Sequence, residues 1–232
     1  LGRDNNAAVL YANPALLDFV QQTSVALDYN MLYGLSELDQ INLAIAHNFG
    51  LMHTGFAYSN FGNPDIMTEN RFALAFSKDV YKYLTLGLRW DHYRISFAED
   101  FNDLSMNSIS LGIASQFDNI VLHASLSNLN RPRLVESENK TDIEYRLGLC
   151  LRNLDYLVLN LELSGEGDIR RYHFGQEIKL EEILFIRLGL ITNPTLPSGG
   201  FGIKWKQFQI DYAINRHSNL GETHSFGLAV NL

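Results

Sequence analysis

The sequence predicts an all-β fold, a transmembrane antiparallel up-and-down β-barrel of about 14 strands. Three observations carry that reading. Apolar and polar residues alternate with a period of two in segment after segment, as in the stretch 145–164, where Tyr145, Leu147, Leu149, Leu151, Leu157, Leu159, Leu161 and Leu163 share one face of a hairpin. No run approaches the roughly 18 apolar residues that a spanning helix needs, so a membrane protein of this sequence must cross with strands. Short and long links also alternate along the chain, as in outer-membrane barrels, which turn tightly at the periplasmic side and loop at the outer one.

Taken in order, residues 1–23 do not alternate. Within them Asn13 is a good N-cap and Pro14 suits the first helical position, which predicts a short helix over 15–20. Strands follow near 24–33, 41–48, 51–59, 71–76, 84–97, 106–117, 120–127, 142–152, 156–164, 169–180, 183–191, 199–205, 208–215 and 223–232. The fifth has the cleanest faces, with Leu84, Leu86, Leu88 and Trp90 against Thr85, Gly87, Arg89 and Asp91. The twelfth is the weakest, because Gly199, Gly200 and Gly202 leave little side chain to pack. The thirteenth sets Phe208, Ile210 and Tyr212 against Gln209, Asp211 and Ala213. Tight links fall at 49–50, 118–119, 153–155, 181–182 and 206–207, and long polar ones around 60–70, 98–105, 128–141, 192–198 and 216–222. An even strand count then puts both termini on the tight-turn, periplasmic side.

Tyr156, Trp205 and Phe208 sit beside tight turns, and Tyr145 and Tyr172 near the long loops, where two interfacial girdles would lie. The leucine face is therefore read as facing outer-membrane lipid. The opposite face carries Arg89, Asp91, Glu144, Arg146, Arg152, Glu162, His173, Glu177, Lys179, Arg187, Lys204 and Asp211. Their signs are mixed, which predicts a polar network that pairs across the lumen and fills it. The competing reading is a conduction path or a ligand site.

A net charge of -8 and a pI near 5.3 argue against a nucleic-acid footprint. The single cysteine, Cys150, excludes an intrachain disulfide framework and is read as a small lumen filler. The seven histidines show no H-x-H or HExxH spacing. His224 and Ser225 are adjacent, so on a strand they face opposite ways and cannot form a base and nucleophile. No enzyme, metal site or cofactor is expected. No charged, apolar targeting segment opens the sequence, so an exported chain is read as one whose signal peptide is already absent.

Gly2-Arg3, Ala7-Ala8 and the triplet Asn13-Pro14-Ala15 resemble the N-terminal hatch of the FadL-like outer-membrane barrels, a group that includes PorV and PorQ of the type IX secretion system. Asp211-Tyr212-Ala213 and the stretch 220–228 are similar to the closing hairpin of the PorV-like branch. The resemblance implies residues 1–23 as a hatch inside a barrel of residues 24–232, with Asn13, Pro14 and Ala15 helping to hold it there. It further implies either passage of hydrophobic small molecules, often through a gap in the wall, or partnership in surface-protein secretion and attachment. The outer loops are shorter than those from which FadL-type transporters build a capture groove. The expected function is therefore a non-enzymatic, partner-binding accessory subunit of an outer-membrane secretion, assembly or surface-attachment complex in a Gram-negative cell, its partners lipid and protein. The alternative is a FadL-type channel for a small hydrophobic molecule.

Overall fold

The computed structural model describes residues 6–98, 102–133 and 140–232. Gly2, Arg3 and the rest of residues 1–5 lie outside the described residues, as do parts of the 98–105 and 128–141 links.

Fourteen strands close into one antiparallel barrel in sequence order. They are β1 (Thr23–Met31), β2 (Asp39–Asn48), β3 (His53–Asn63), β4 (Met67–Tyr81), β5 (Leu84–Phe97), β6 (Leu104–Phe117) and β7 (Ile120–Ser127), then β8 (Glu144–Leu154), β9 (Leu157–Glu166), β10 (Ile169–Leu180), β11 (Leu184–Ile191), β12 (Leu196–Trp205), β13 (Phe208–His217) and β14 (Gly221–Asn231). The seam is the β1–β14 ladder, from Ser24 opposite Asn231 to Met31 opposite His224. Closure leaves no edge strand, so backbone donors and acceptors of each strand find partners on the strands to either side.

Alternation sets the two faces as the pattern of leucines predicts. Leu86, Leu88, Trp90, Leu147, Leu159, Leu161 and Ile210 point outward and are exposed. Tyr156, Trp205 and Phe208 are exposed at the tight-turn end, and Tyr172 toward the loop end. Such a continuous apolar belt far exceeds the few hundred Å² of patch that a water-soluble monomer carries, and a bilayer is the medium that accommodates it.

Several strands run further than the alternation alone predicts. β4 spans Met67–Tyr81 where 71–76 is expected, β3 reaches Asn63, β12 starts at Leu196 and β13 ends at His217. Most of these extensions carry polar residues or break the alternation, so hydrophobic period does not mark them, yet ladder pairing continues past the alternating core of each strand. The links at 64–66, 192–195 and 218–220 are correspondingly short, and 98–103 and 128–143 remain long. The glycine-rich twelfth strand pairs along its length with both neighbours, and a methyl group at Gly200 would crowd the Tyr212 carbonyl at 2.6 Å.

The core lies between the inner wall and the segment that precedes β1. That segment forms α1 (Val9–Ala12) and a 3-10 turn (Pro14–Phe19). Leu10 and Leu17 are fully buried with Ala44, Ala46, Ala57, Ala73 and Ala75, while Leu16 packs with Ala114, Val121, Cys150 and Val158. Each buried leucine contributes about 1.5–3 kcal/mol relative to exposure. Small inward side chains on β2 to β4 provide the space.

Candidate functional site in the lumen

The 13–15 turn is held in a notch of the wall. Asn13 is fully buried; its Oδ1 accepts from Ala15 N at 2.9 Å, and its Nδ2 donates to the carbonyls of Ile113 (3.2 Å) and Ala124 (2.9 Å), which face each other across β6 and β7. The notch is made by Gly87 and Gly112, where any Cβ would overlap Ala15 N and Asn13 Oδ1 respectively. Other ties surround it. Ser24 Oγ accepts from Ala7 N at 2.9 Å, the Tyr11 hydroxyl lies 3.1 Å from the carbonyls of both Leu43 and Tyr58, and Ser125 Oγ donates to Ala12 O at 3.2 Å. Burial pushes the Tyr11 phenol up, so it stays a donor.

Arg89 joins this seat to the charged face. Its Nη1 donates to the carbonyls of Leu10 (2.6 Å) and Tyr11 (3.0 Å), and its Nε donates to Asp91 Oδ2 at 2.9 Å. Arg71 binds the other oxygen of Asp91 at 2.8 Å. Asp91 is thus satisfied from both sides, which is what allows a fully buried carboxylate. The tight-turn end of the segment is fixed by Asp18, whose carboxylate lies 3.3 Å from His53 Nδ1 and 3.3 Å from Thr85 Oγ1. Thr85 also bonds Asp79 at 2.5 Å.

The remaining predicted residues face inward, but the expected pairing across the lumen needs correction. Arg146 pairs with Glu144 (2.6 Å) on its own strand and with Glu162 (3.2 Å) on β9. Arg187 pairs with Glu177 (2.7 Å) on β10 and with Asp211 on β13. Lys204 stands on the inner face opposite Gln209 near the tight-turn end. These charges therefore neutralise one another along the wall, because strands about 5 Å apart bring side chains of one face into reach while the opposite wall is much further away.

A lane remains open beside the buried segment. The segment's hydrogen bonds fall on β1 to β7, and the sector from β9 to β13 holds a cavity of about 450 Å³ bordered by Asn160, Glu177, Arg187 and Asp211. Glycines keep it open: Gly175 and Gly189 face each other across β10 and β11, and Gly200 continues the bare stretch on β12. On the other side of the wall, an apolar groove of about 570 Å³ crosses β6 to β10 along Ile113, Leu122, Leu147, Leu161 and Phe174. The ladders beneath it are unbroken, so the wall has no gap there.

Sequence reading missed Gly87, Gly112, Tyr11 and Arg71. The glycines carried a signal only in combination, since a paired notch is visible once register places Gly87 opposite Gly112. Arg71 lay at the expected edge of the fourth strand, and its inward contacts follow from the strand's true length.

Sequence comparison finds neither a family model nor a curated protein that matches this chain. Solved structures do match its fold. The Pseudomonas putida toluene transporter TodX superimposes with a TM-score of 0.68 at 11% identity, covering 96% of this chain and 91% of that one. The Ralstonia pickettii toluene transporter TbuX gives 0.67 at 12% identity, covering 98% and 94%. A Pseudomonas aeruginosa FadL homologue gives 0.69 at 10% identity, covering 98% and 94%. The chain therefore has the fold of the FadL-type outer-membrane channels.

Proposed function

We propose that this chain is an outer-membrane channel for small hydrophobic molecules, with residues 1–23 as the hatch, Asn13, Pro14 and Ala15 as its anchor, and the loop end facing outward. The observation that carries this reading is the lane beside the hatch. Its roughly 450 Å³ falls in the range of about 300–1,000 Å³ typical of small-molecule sites, and glycine backbones border it where bulky side chains would close it. The accessory-subunit expectation rested on short outer loops and a charge-filled lumen, and the lane counts against the second of these. Fold neighbours described as toluene transporters add weight to the channel. The PorV-like and PorQ-like placement stays a resemblance of the two chain ends.

Uptake of a labelled monoaromatic hydrocarbon tests the proposal, in outer-membrane-bearing cells with and without the chain. Saturable uptake is expected, and Gly189→Leu, which projects a side chain into the lane, should reduce it. Uptake equal in both cell types would overturn the channel reading.

A further inference from the structure

A second cavity, of about 350 Å³, opens on the loop-end side of the hatch. Its wall is a single inward row that register carries across five strands: Asp28 on β1 faces Asn42, Asn42 faces Ser59, Ser59 faces Arg71 and Arg71 faces Tyr93. One step nearer the loops, Gln40, Phe61 and Glu69 form a shorter row. Tyr11 of the hatch lines the cup from within the barrel.

The charges of this cup do not balance. Arg71 is committed to Asp91, and its guanidinium lies 5.3 Å from the ring centroids of both Tyr11 and Tyr93. Asp91 is shared with Arg89, so the Arg71–Asp91–Arg89 cluster keeps one positive charge against the two carboxylates Asp28 and Glu69, and the cup is left with a net negative charge. Asp28 and Glu69 have no ion-pair partner among the described residues. The row beyond Asp28 passes through Gly227 to Asp211, another carboxylate. Uncompensated carboxylates in a partly desolvated cavity attract a cation far more strongly than they would in water.

We propose that this cup binds a small organic cation, an amine carrying an aromatic or short alkyl body. Asp28 supplies the charge, Asn42, Gln40 and Ser59 supply neutral polar partners, Phe61 supplies an aromatic face, and Tyr11 and Tyr93, whose rings already lie against the Arg71 guanidinium, border the apolar body. An inorganic ion is a poorer fit. β1 and β4 are three strands apart, so at about 4.8 Å per strand Asp28 and Glu69 are too widely separated to coordinate one small ion. No group of three or more metal-ligating side chains occurs among the described residues. The bound amine would sit directly on the hatch, with the Asp28, Gly227 and Asp211 row leading from the cup to the lane. That onward path rests on the channel reading; the binding site does not.

Calorimetric titration of the full chain in detergent with 2-phenylethylamine tests the site, against ethylbenzene as its neutral analogue and phenylacetate as its anion. Saturable binding at neutral pH is expected, at least about ten-fold tighter for the amine than for either comparison, and weakened about ten-fold by Asp28→Asn. Glu69→Gln should weaken it by a smaller factor through loss of field alone. Heat-modifiable gel mobility verifies that each variant is folded. Equal binding of ethylbenzene or phenylacetate overturns the proposal, as does unchanged amine binding in both variants. Amine binding without hydrocarbon uptake by cells would support the site and count against the channel; uptake without amine binding would do the reverse.

Discussion

Gly87 and Gly112 stand opposite each other across the β5–β6 ladder, and the 13–15 turn of the hatch rests against both. The relationship joins two distant parts of the sequence by exclusion of volume. Neither glycine has a positive φ, so backbone freedom is not the reason for them; room for Asn13 and Ala15 is. Gly87→Ala or Gly112→Ala should unseat the turn and leave the barrel intact. The Asn13 amide would lose its carbonyl partners, a cost of about 1–3 kcal/mol for a buried polar group left unsatisfied. Limited proteolysis checks this: cleavage before residue 22 should speed up while the heat-modifiable barrel band persists. Unchanged protection in both variants would mean that the notch does not hold the hatch.

Much of the wall was legible because strand period is local. Leu86, Leu88 and Trp90 declare their face within a few residues, and β5, β7 and β10 occupy the expected spans 84–97, 120–127 and 169–180. The lumen was legible in composition and not in arrangement. Arg146 and Arg187 were placed inward, but which carboxylate each meets depends on register between strands, which a single sequence does not state. Glu69 read as loop because the polar start of β4 carries no hydrophobic period. The glycines of β12 looked like a weakness, and Gly199 and Gly200 prove to border an open lane.

Leu159 and Asn160 are neighbours on β9 that face lipid and lumen respectively. Leu159→Arg should cost roughly 2–4 kcal/mol if it lies near the bilayer midplane. Asn160→Arg should cost less, since Glu162 and Glu177 border the same lumen. A urea titration of folding into lipid vesicles measures both, and equal costs would reverse the assignment of faces.

Arg89 and Arg146 test burial as a determinant of ion-pair strength. The side chain of Arg89 is 4% exposed and that of Arg146 32%. Arg89→Met breaks a pair in which Asp91 is also buried and frees two hatch carbonyls, so a loss of about 3–5 kcal/mol is expected. Arg146→Met should cost under about 1 kcal/mol, nearer the value of solvated pairs. Guanidinium unfolding in detergent ranks them, and the opposite order would refute the argument.

Asp18 gives hatch docking a dependence on pH. Burial, and then the neighbouring Asp79 carboxylate, raise its carboxyl above the ordinary 3.8, while His53 opposes them. A raised folded-state value means that the protonated acid is favoured when the hatch is seated. That contribution is full below the ordinary carboxylate range and is lost as pH rises through the raised value. Protease protection of the hatch should therefore be greater at about pH 4 than at about pH 8, and Asp18→Asn should flatten the difference. A wild-type profile rising with pH would contradict the sign.

Arg187, which bridges Glu177 and Asp211, borders the lane beside the hatch and obstructs it for ions. A fourteen-stranded wall is wide enough for a pore, but the hatch is hydrogen-bonded to strands between β1 and β7 and packs as far as Cys150 on β8 and Val158 on β9. The intact protein should therefore show no large steady conductance in planar bilayers. Deleting residues 1–20 removes the hydrogen bonds of Ala7, Tyr11 and Asn13 together with the buried Leu10, Leu16 and Leu17, leaving only wall side chains in the path. Step-like openings should then appear. A stable ohmic conductance in the intact chain would show that the hatch does not limit the pore, and silence after the deletion would put the barrier at the Arg187 bridge instead.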